Sequence, residues 1–440
     1  MYSNQAKVLH SIGGKPMLEH VVDTAFSIEQ VELSIVIGFE AQQIQNYFAD
    51  KQYPKPLNWA VQEQQLGTGH AVQQALNTLD KIEESECVIL VLYGDVPLIE
   101  SSTLAKLIAQ ADAEALALLT FIAEDPTGLG RIIRDDESNI CAIVEEKDAN
   151  EAQKQIKEVN SGIMAVPAAK LAQWLNAVSN DNAQGEYYLT DIIALAHKQS
   201  CSINGITIRD ELEVQGVNDK KQLAVLERHY QMKRVEDLLE AGVTIRDPAR
   251  VDVRGELLCG RDVEVDVNTI FEGKVTLGNN VRVGANVVIK DSSVGDNVSI
   301  LPGTNIDGAK IEEGVILGPY ARIRPGTVLR KNVKIGNFVE TKNAIIGEGS
   351  KANHLAYIGD AELGTNVNIG AGTIVCNYDG ANKHKTLIGN NVFVGSNSVL
   401  IAPVELADNT FIAAGSAINC DVPEGNLAVG RAKQKNIAGW

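Results

Sequence analysis

Two hydrophobic rhythms divide this chain. Up to about residue 210, short apolar runs alternate with stretches of helical period. Runs at 34–38, 87–92, 116–122, 160–166 and 203–207 predict strands, and 16–27 and 69–79 predict helices. Pro16 suits a first helical position, where a missing N–H costs nothing. The run CVILVL from Cys87 is apolar without alternation, as a strand covered on both faces must be. The first region therefore reads as an α/β domain with a mostly parallel sheet. From about 219 to 242 one amphipathic helix is expected. Leu223, Val225, Leu226, Tyr230, Val235, Leu238 and Leu239 supply its apolar stripe, and Gly242 its stop.

After Arg250 the period becomes six. Blocks such as VDVRGE, LLCGRD, VEVDVN and TIFEGK begin at Val251, Leu257, Val263 and Thr269, and the pattern continues to TFIAAG with one expected phase slip near Gly295. Places one and three are aliphatic or small, Phe271 being the aromatic exception, and the later places favour Gly, Asn, Asp and Lys. Neither a helix nor an alternating strand has this period. A short flat strand followed by a tight corner does, and three such blocks close one triangular coil. Each coil buries its apolar side chains only against its neighbours, so the series must be long. The reading is a β-solenoid. The expected division is 1–211 for the α/β domain, 212–241 for a helical linker and 242–440 for the solenoid.

A chain of 440 residues is too long for one ordinary core, in keeping with that division. A net charge of −18 argues against a sequence-independent grip on nucleic acid, so any anionic substrate needs a local group of basic residues. Cys87, Cys141, Cys201, Cys259, Cys376 and Cys420 lie far apart with no CxxC pair, which disfavours disulfides and structural zinc and fits a reducing compartment. The first residues, MYSNQAKVLHSIGG, do not read as a signal peptide, and no apolar run is long enough to span a membrane. A cytoplasmic protein is expected.

Four further motifs narrow the reading: LGTGHA at 66–71, LYGDVPL at 92–98, DPTGLGR at 125–131 and EYYLTD at 186–191. Together with the six-residue blocks they resemble the bacterial bifunctional N-acetylglucosamine-1-phosphate uridylyltransferase and glucosamine-1-phosphate N-acetyltransferase family, over nearly the whole chain. The resemblance implies a Rossmann-like nucleotidyltransferase domain, a linker helix, a left-handed parallel β-helix and a homotrimer. It also implies acetyl transfer from acetyl-CoA to glucosamine 1-phosphate, then uridylyl transfer from UTP to N-acetylglucosamine 1-phosphate with Mg²⁺. Members of the family carry a strand and a loop of the form LAAGxGTRM before the lysine matched by Lys7, and Met1 falls where that loop would end. Because backbone N–H groups of such loops cradle phosphates, acetyl transfer is expected to be retained and uridylyl transfer to be weak.

Attack of an amine on a thioester requires a base, and histidine is the side chain best tuned near neutral pH. Only His354 and His384 follow residue 250. His354 in KANHLAYIGD matches the family's general base, and His384 sits in a polar loop as a bystander. The resemblance assigns Arg324, Lys342, Tyr357, Asn368 and Lys383 to the sugar phosphate. It assigns Ala371, Asn377, Tyr378, Ser396, Ala414 and Arg431 to acetyl-CoA. In the first domain Asp95 follows an apolar run at the carboxyl end of a candidate strand, where open α/β sheets bind ligands. The resemblance pairs it with Asn218 as a Mg²⁺ ligand. It also matches Lys7, Gln62, Gly67, Thr68, Tyr93, Gly94, Gly130, Glu145 and Asn160 to nucleotide or sugar contacts.

Two other readings stay open at this point. The solenoid could be a regulatory platform on a sugar-nucleotide pyrophosphorylase, or both domains could form a non-catalytic scaffold. A γ-type carbonic anhydrase on a similar helix needs three histidines on zinc, and only two are present after residue 250.

Overall fold

The computed structural model describes residues 1–29, 31–79 and 87–440. The chain separates into two compact units, Met1–His229 and Tyr230–Trp440. The boundary falls inside the helix Lys220–Glu240. Of the stretch expected as a linker, 212–229 falls in the first unit and 230–241 in the second. Val214 packs with Val96 and Ile99, and the Val217 N–H donates to the Asp95 carbonyl at 3.0 Å.

In the first unit the expected strands appear as Leu33–Ile37, Val88–Val91, Ala115–Ile122, Glu158–Pro167 and Ser202–Ile208. Ser202–Ile208 runs parallel to Ala115–Ile122, and Leu33–Ile37 runs parallel to Leu57–Val61. The long strand Glu158–Pro167 is antiparallel to Val88–Val91 and Ala115–Ile122. Among the described residues, Leu33–Ile37 pairs only with Leu57–Val61 and Val88–Val91 only with Glu158–Pro167, so the strands do not join into one continuous sheet. Helices Met17–Phe26 and Thr68–Leu76 fill the expected helical stretches. Pro16 caps the first of these from outside instead of opening it, because it lies in the short hairpin strand Lys15–Pro16.

The connecting helix buries Leu226, Val235 and Leu238, whereas Val225 and Leu239 of the expected stripe face outward. The polar residue within that buried face is Gln231. Its amide donates to the Val253 carbonyl at 3.0 Å and accepts the Val253 N–H at 2.7 Å, satisfying a strand edge inside the second unit.

The second unit is a parallel β-solenoid with one continuous aliphatic core. First-place residues such as Val251, Val263, Val275 and Val287 are fully buried, and so are the third-place Val253, Phe271 and Ile289. Asn280, Asn286, Asn297, Asn332, Asn366, Asn391, Asn397 and Asn409 turn corners at positive φ, where a short polar side chain is tolerated. The phase slips more often than once, and first at Asp291 rather than near Gly295. Successive partners stand eighteen residues apart at Ile270↔Val288 but seventeen apart at Thr276↔Ser293, Val328↔Ile345 and Ile345↔Glu362. The shortened corners close on Asp291, Gly308, Asn343 and Asp360, all at positive φ, which turns the chain one residue sooner. Residues 377–385 leave the wall as a loop before the strand Thr386–Ile388 resumes the stack.

Candidate functional site

In the solenoid, one wall and the two edges that bound it gather most of the candidate residues. The wall strands Arg322–Ile323, Glu340–Lys342 and Tyr357–Gly359 stack in register, pairing Arg322 with Glu340 and Glu340 with Tyr357. Arg324 follows the first of them and donates to Glu340 at 2.7 Å. Lys342 lies 3.7 Å from Asp360, and the Lys342 ammonium holds Lys383 below the usual lysine range. Three of the expected cations thus converge on neighbouring coils.

Asp360 ties this wall to the loop. It accepts from Asn343 at 2.7 Å and from the buried Asn377 amide. Burial pushes its carboxyl up, but those two hydrogen bonds and the charges of Lys342 and Lys383 hold it below the ordinary carboxylate value. Lys383 and His384 border a shallow groove of about 370 Å³ beside Asn343 and Asp360. His384 is paired with Asp379 at 2.7 Å, and Tyr378 donates to the Gly380 carbonyl at 2.6 Å, so both brace the loop.

His354 is exposed at the edge of this wall, at the end of the strand Lys351–His354. Its Nδ1 lies 2.8 Å from the side-chain oxygen of Asn337, and Nε2 has no hydrogen-bond partner among the described residues. Asn368 sits on the next coil, paired with Lys351. Ala371, Ser396 and Ala414 each follow a paired wall residue by three positions, after Asn368, Phe393 and Phe411, so they form a file up one edge. The file is tight: a Cβ on Gly370 would meet the Ser396 nitrogen at 2.5 Å, and one on Gly395 would meet that of Ala414 at 2.5 Å. The side chain of Arg431 lies beside Gly415, next to Ala414.

The first unit brings a second set together. Lys7 donates to Asp95 at 2.6 Å and to the Asn218 side-chain oxygen at 3.1 Å, so two oxygen donors far apart in sequence point at one cation. Gly94 adjoins them, packed beneath Leu18. LGTGHA and EYYLTD dock through their backbones. The Gly69 N–H donates to the Tyr187 carbonyl at 2.8 Å, the Tyr187 N–H donates to that of Leu66 at 2.8 Å, and Thr68 accepts the Leu189 N–H at 3.0 Å. A glycine is required at 67, where φ is +107° and a Cβ would lie 2.7 Å from the Tyr187 carbonyl oxygen. The Gln62 amide donates to the Gly67 carbonyl at 3.1 Å and to His70 Nδ1 at 3.0 Å.

DPTGLGR meets the long strand where the Asn160 N–H donates to the Gly130 carbonyl at 2.9 Å. Glu145 approaches the same glycine and accepts from Thr190 at 2.9 Å. Burial raises the Glu145 carboxyl above its ordinary value, against the pull of the Thr190 hydrogen bond. Tyr93 packs its ring on Gly162, and burial, aided by Glu145 and Asp95, pushes its phenol up to about 12.

Residues that motif reading passed over contact the candidates in both units: Thr190, Gly162 and His70 in the first, and Asn337, Asn343 and Asp360 in the second. Thr190 lay inside a recognised motif. Asn337 stands seventeen residues before His354, and that coil length is the signal that would have found it.

Comparison with known proteins agrees with both halves. Residues 1–146 match the MobA-like NTP transferase domain, 308–343 and 385–420 the bacterial transferase hexapeptide repeats, and 273–291 the hexapeptide repeat of succinyl-transferase. A bifunctional protein GlmU of Marinobacter nauticus is 53% identical over 100% of this chain and 95% of its own length. Those of Pseudomonas entomophila and Pseudomonas putida are 52% and 51% identical with the same coverage. The chain therefore belongs to the bifunctional GlmU family, with uridylyltransferase and acetyltransferase activities carried by a nucleotidyltransferase domain and a hexapeptide-repeat domain.

Proposed function

We propose that glucosamine 1-phosphate binds on the wall that carries Arg324, Lys342 and Tyr357, and that His354 is the base for its amine. Lys342, Lys383 and Arg324 offset the phosphate charge, while Tyr357 and Asn368 hydrogen-bond the sugar. His354 Nε2 takes a proton from the amine, and the nitrogen bonds to the thioester carbonyl carbon of acetyl-CoA. The C–S bond then breaks and the sulfur leaves with a proton, giving N-acetylglucosamine 1-phosphate and CoA. The small residues Ala371, Ser396 and Ala414 let the pantetheine arm lie close to the backbone, with Asn377, Tyr378 and Arg431 as further contacts. A backbone N–H along that file serves the tetrahedral oxyanion. The observation that carries this reading is an exposed imidazole, bonded through Nδ1 alone, beside converging cations. A regulatory platform has no use for that combination.

In the first unit the product's phosphate oxygen attacks the α-phosphorus of UTP, and pyrophosphate leaves. Gln62, Gly67 and Thr68 contact the uridine, and Tyr93, Gly94, Gly130, Glu145 and Asn160 line the nucleotide and sugar. Asp95 and Asn218 fit a divalent ion, because a carboxylate and an amide oxygen already converge on one cationic atom. Mg²⁺ held there would offset the charge of the phosphates. Lys7 serves the same phosphates. The expectation was weak uridylyl transfer; the match to bifunctional relatives over 100% of this chain and 95% of their length supports both activities. The working assembly is a cytoplasmic homotrimer without nucleic-acid or membrane partners. Among the described residues no helix is long and apolar enough to cross a membrane.

His354→Ala tests the central assignment. CoA release with glucosamine 1-phosphate should fall by about 10²-fold or more, with pyrophosphate release from UTP and the melting profile unchanged. Near-normal CoA release would remove the base. No CoA release from the unaltered chain would favour the platform or the scaffold.

A further inference from the structure

We infer that Asn337 is the positioning residue for His354, fixing the tautomer and direction of its imidazole; this rests on His354 being the base. A neutral imidazole has one N–H and one bare nitrogen, and only the bare nitrogen can take a proton. The Asn337 side-chain oxygen stands 2.8 Å from His354 Nδ1 and carries no hydrogen, so the N–H must be on Nδ1. The lone pair is thereby assigned to Nε2, on the exposed side of the ring. The reverse tautomer would aim the bare Nδ1 lone pair at the Asn337 oxygen and turn the Nε2 N–H towards the substrate amine. It would have no base.

The backbone is built to make this contact. On the solenoid wall that carries His354, the strands have two residues each, except Lys334–Asn337 and Lys351–His354, which have four. The extension brings Asn337 into register with His354. It also requires glycine at 336, where a Cβ would lie 2.0 Å from the Asn353 carbonyl oxygen. The next residues, Phe338 and Leu355, turn the corner at φ 57° and 48°. Bulky side chains rarely adopt that conformation, and it persists only where surroundings enforce it. The Leu355 N–H donates to the Asn337 backbone carbonyl at 3.0 Å, so both the main chain and the side chain of Asn337 hold the histidine segment.

An amide suits the task better than a carboxylate. It orients the ring without placing a negative charge beside it. The surrounding charges are the Arg324–Glu340 pair, Lys342 with Asp360, Lys383, and Lys334 and Lys351 at the starts of the two long strands. They stay in place in a variant of Asn337, so a changed pH profile reports the new side chain.

Two substitutions in the full chain decide the matter. Asn337→Leu removes the acceptor, and kcat for acetyl transfer should fall by about 10²-fold at all pH values, with little change in KM for either substrate. Asn337→Asp keeps the acceptor and adds a charge. The acidic limb of kcat/KM should move up by about one pH unit, with turnover recovering above it. Unaltered turnover and profile in the leucine variant, or an unmoved limb in the aspartate variant, overturns the proposal. If the leucine variant does not fold, the aspartate profile decides alone. Full activity in His354→Ala would instead remove the base itself, a different failure from an inert Asn337.

Discussion

At the scale of single residues, Glu145 shows how a residue of the proposed site works against its own domain. Its carboxyl is raised by burial, with only the Thr190 hydroxyl opposing. A group that binds its proton more tightly folded than unfolded contributes stability that is complete below the ordinary carboxylate pKa. That stability is lost as pH rises through the folded value. Above that window the buried carboxylate is a liability to the fold. Glu145→Gln should therefore raise the melting temperature of the first unit at pH 7 and leave it unchanged near pH 3, while weakening sugar-nucleotide binding. Melting curves at the two pH values check this; equal shifts at both would mean that the charge is not the cause. Motif reading reached Glu145 only through resemblance. Its partner Thr190 lies within EYYLTD, but burial, which gives the pair its character, is set by strands that arrive from elsewhere.

At the scale of elements, the six-residue rhythm carried nearly all of the solenoid, because places one and three are the positions that face inward. Its corners were less legible. A shortened corner costs one residue and leaves the apolar pattern intact, so the slips at Asp291, Gly308, Asn343 and Asp360 are hard to see by eye. Those slips place Asn343 and Asp360 beside Lys342. Not every glycine of the repeat turns a left-handed corner. Gly347, Gly364 and Gly389 keep ordinary φ and are needed for close stacking: a Cβ on Gly347 would lie 2.2 Å from the Gly364 carbonyl oxygen, and one on Gly364 2.8 Å from that of Gly389. Backbone stacked on backbone has no flexible side chain to move aside. Gly347→Ala should destabilise the second unit by about 1–3 kcal/mol, read as a lowered melting transition. An unchanged transition would show that the coils can separate to admit a methyl group.

At the scale of the whole molecule, the division of labour can be tested without a mutation. Among the described residues the solenoid has one core running from Val235 to Val422, while the first unit holds three separate clusters of its own. Because these cores are distinct, a ligand that binds one unit stabilises that unit by mass action, by about 2.7 kcal/mol at a hundredfold excess over Kd. For a unit of this size that corresponds to an increase in melting temperature of roughly 5–10 °C. Calorimetry of the full chain should show two transitions. UTP with Mg²⁺ should raise one, and acetyl-CoA the other. The acetyl-CoA shift should disappear on Gly347→Ala only if that variant no longer stacks its coils. Should both ligands raise a single shared transition, the two units melt as one cooperative body rather than separately.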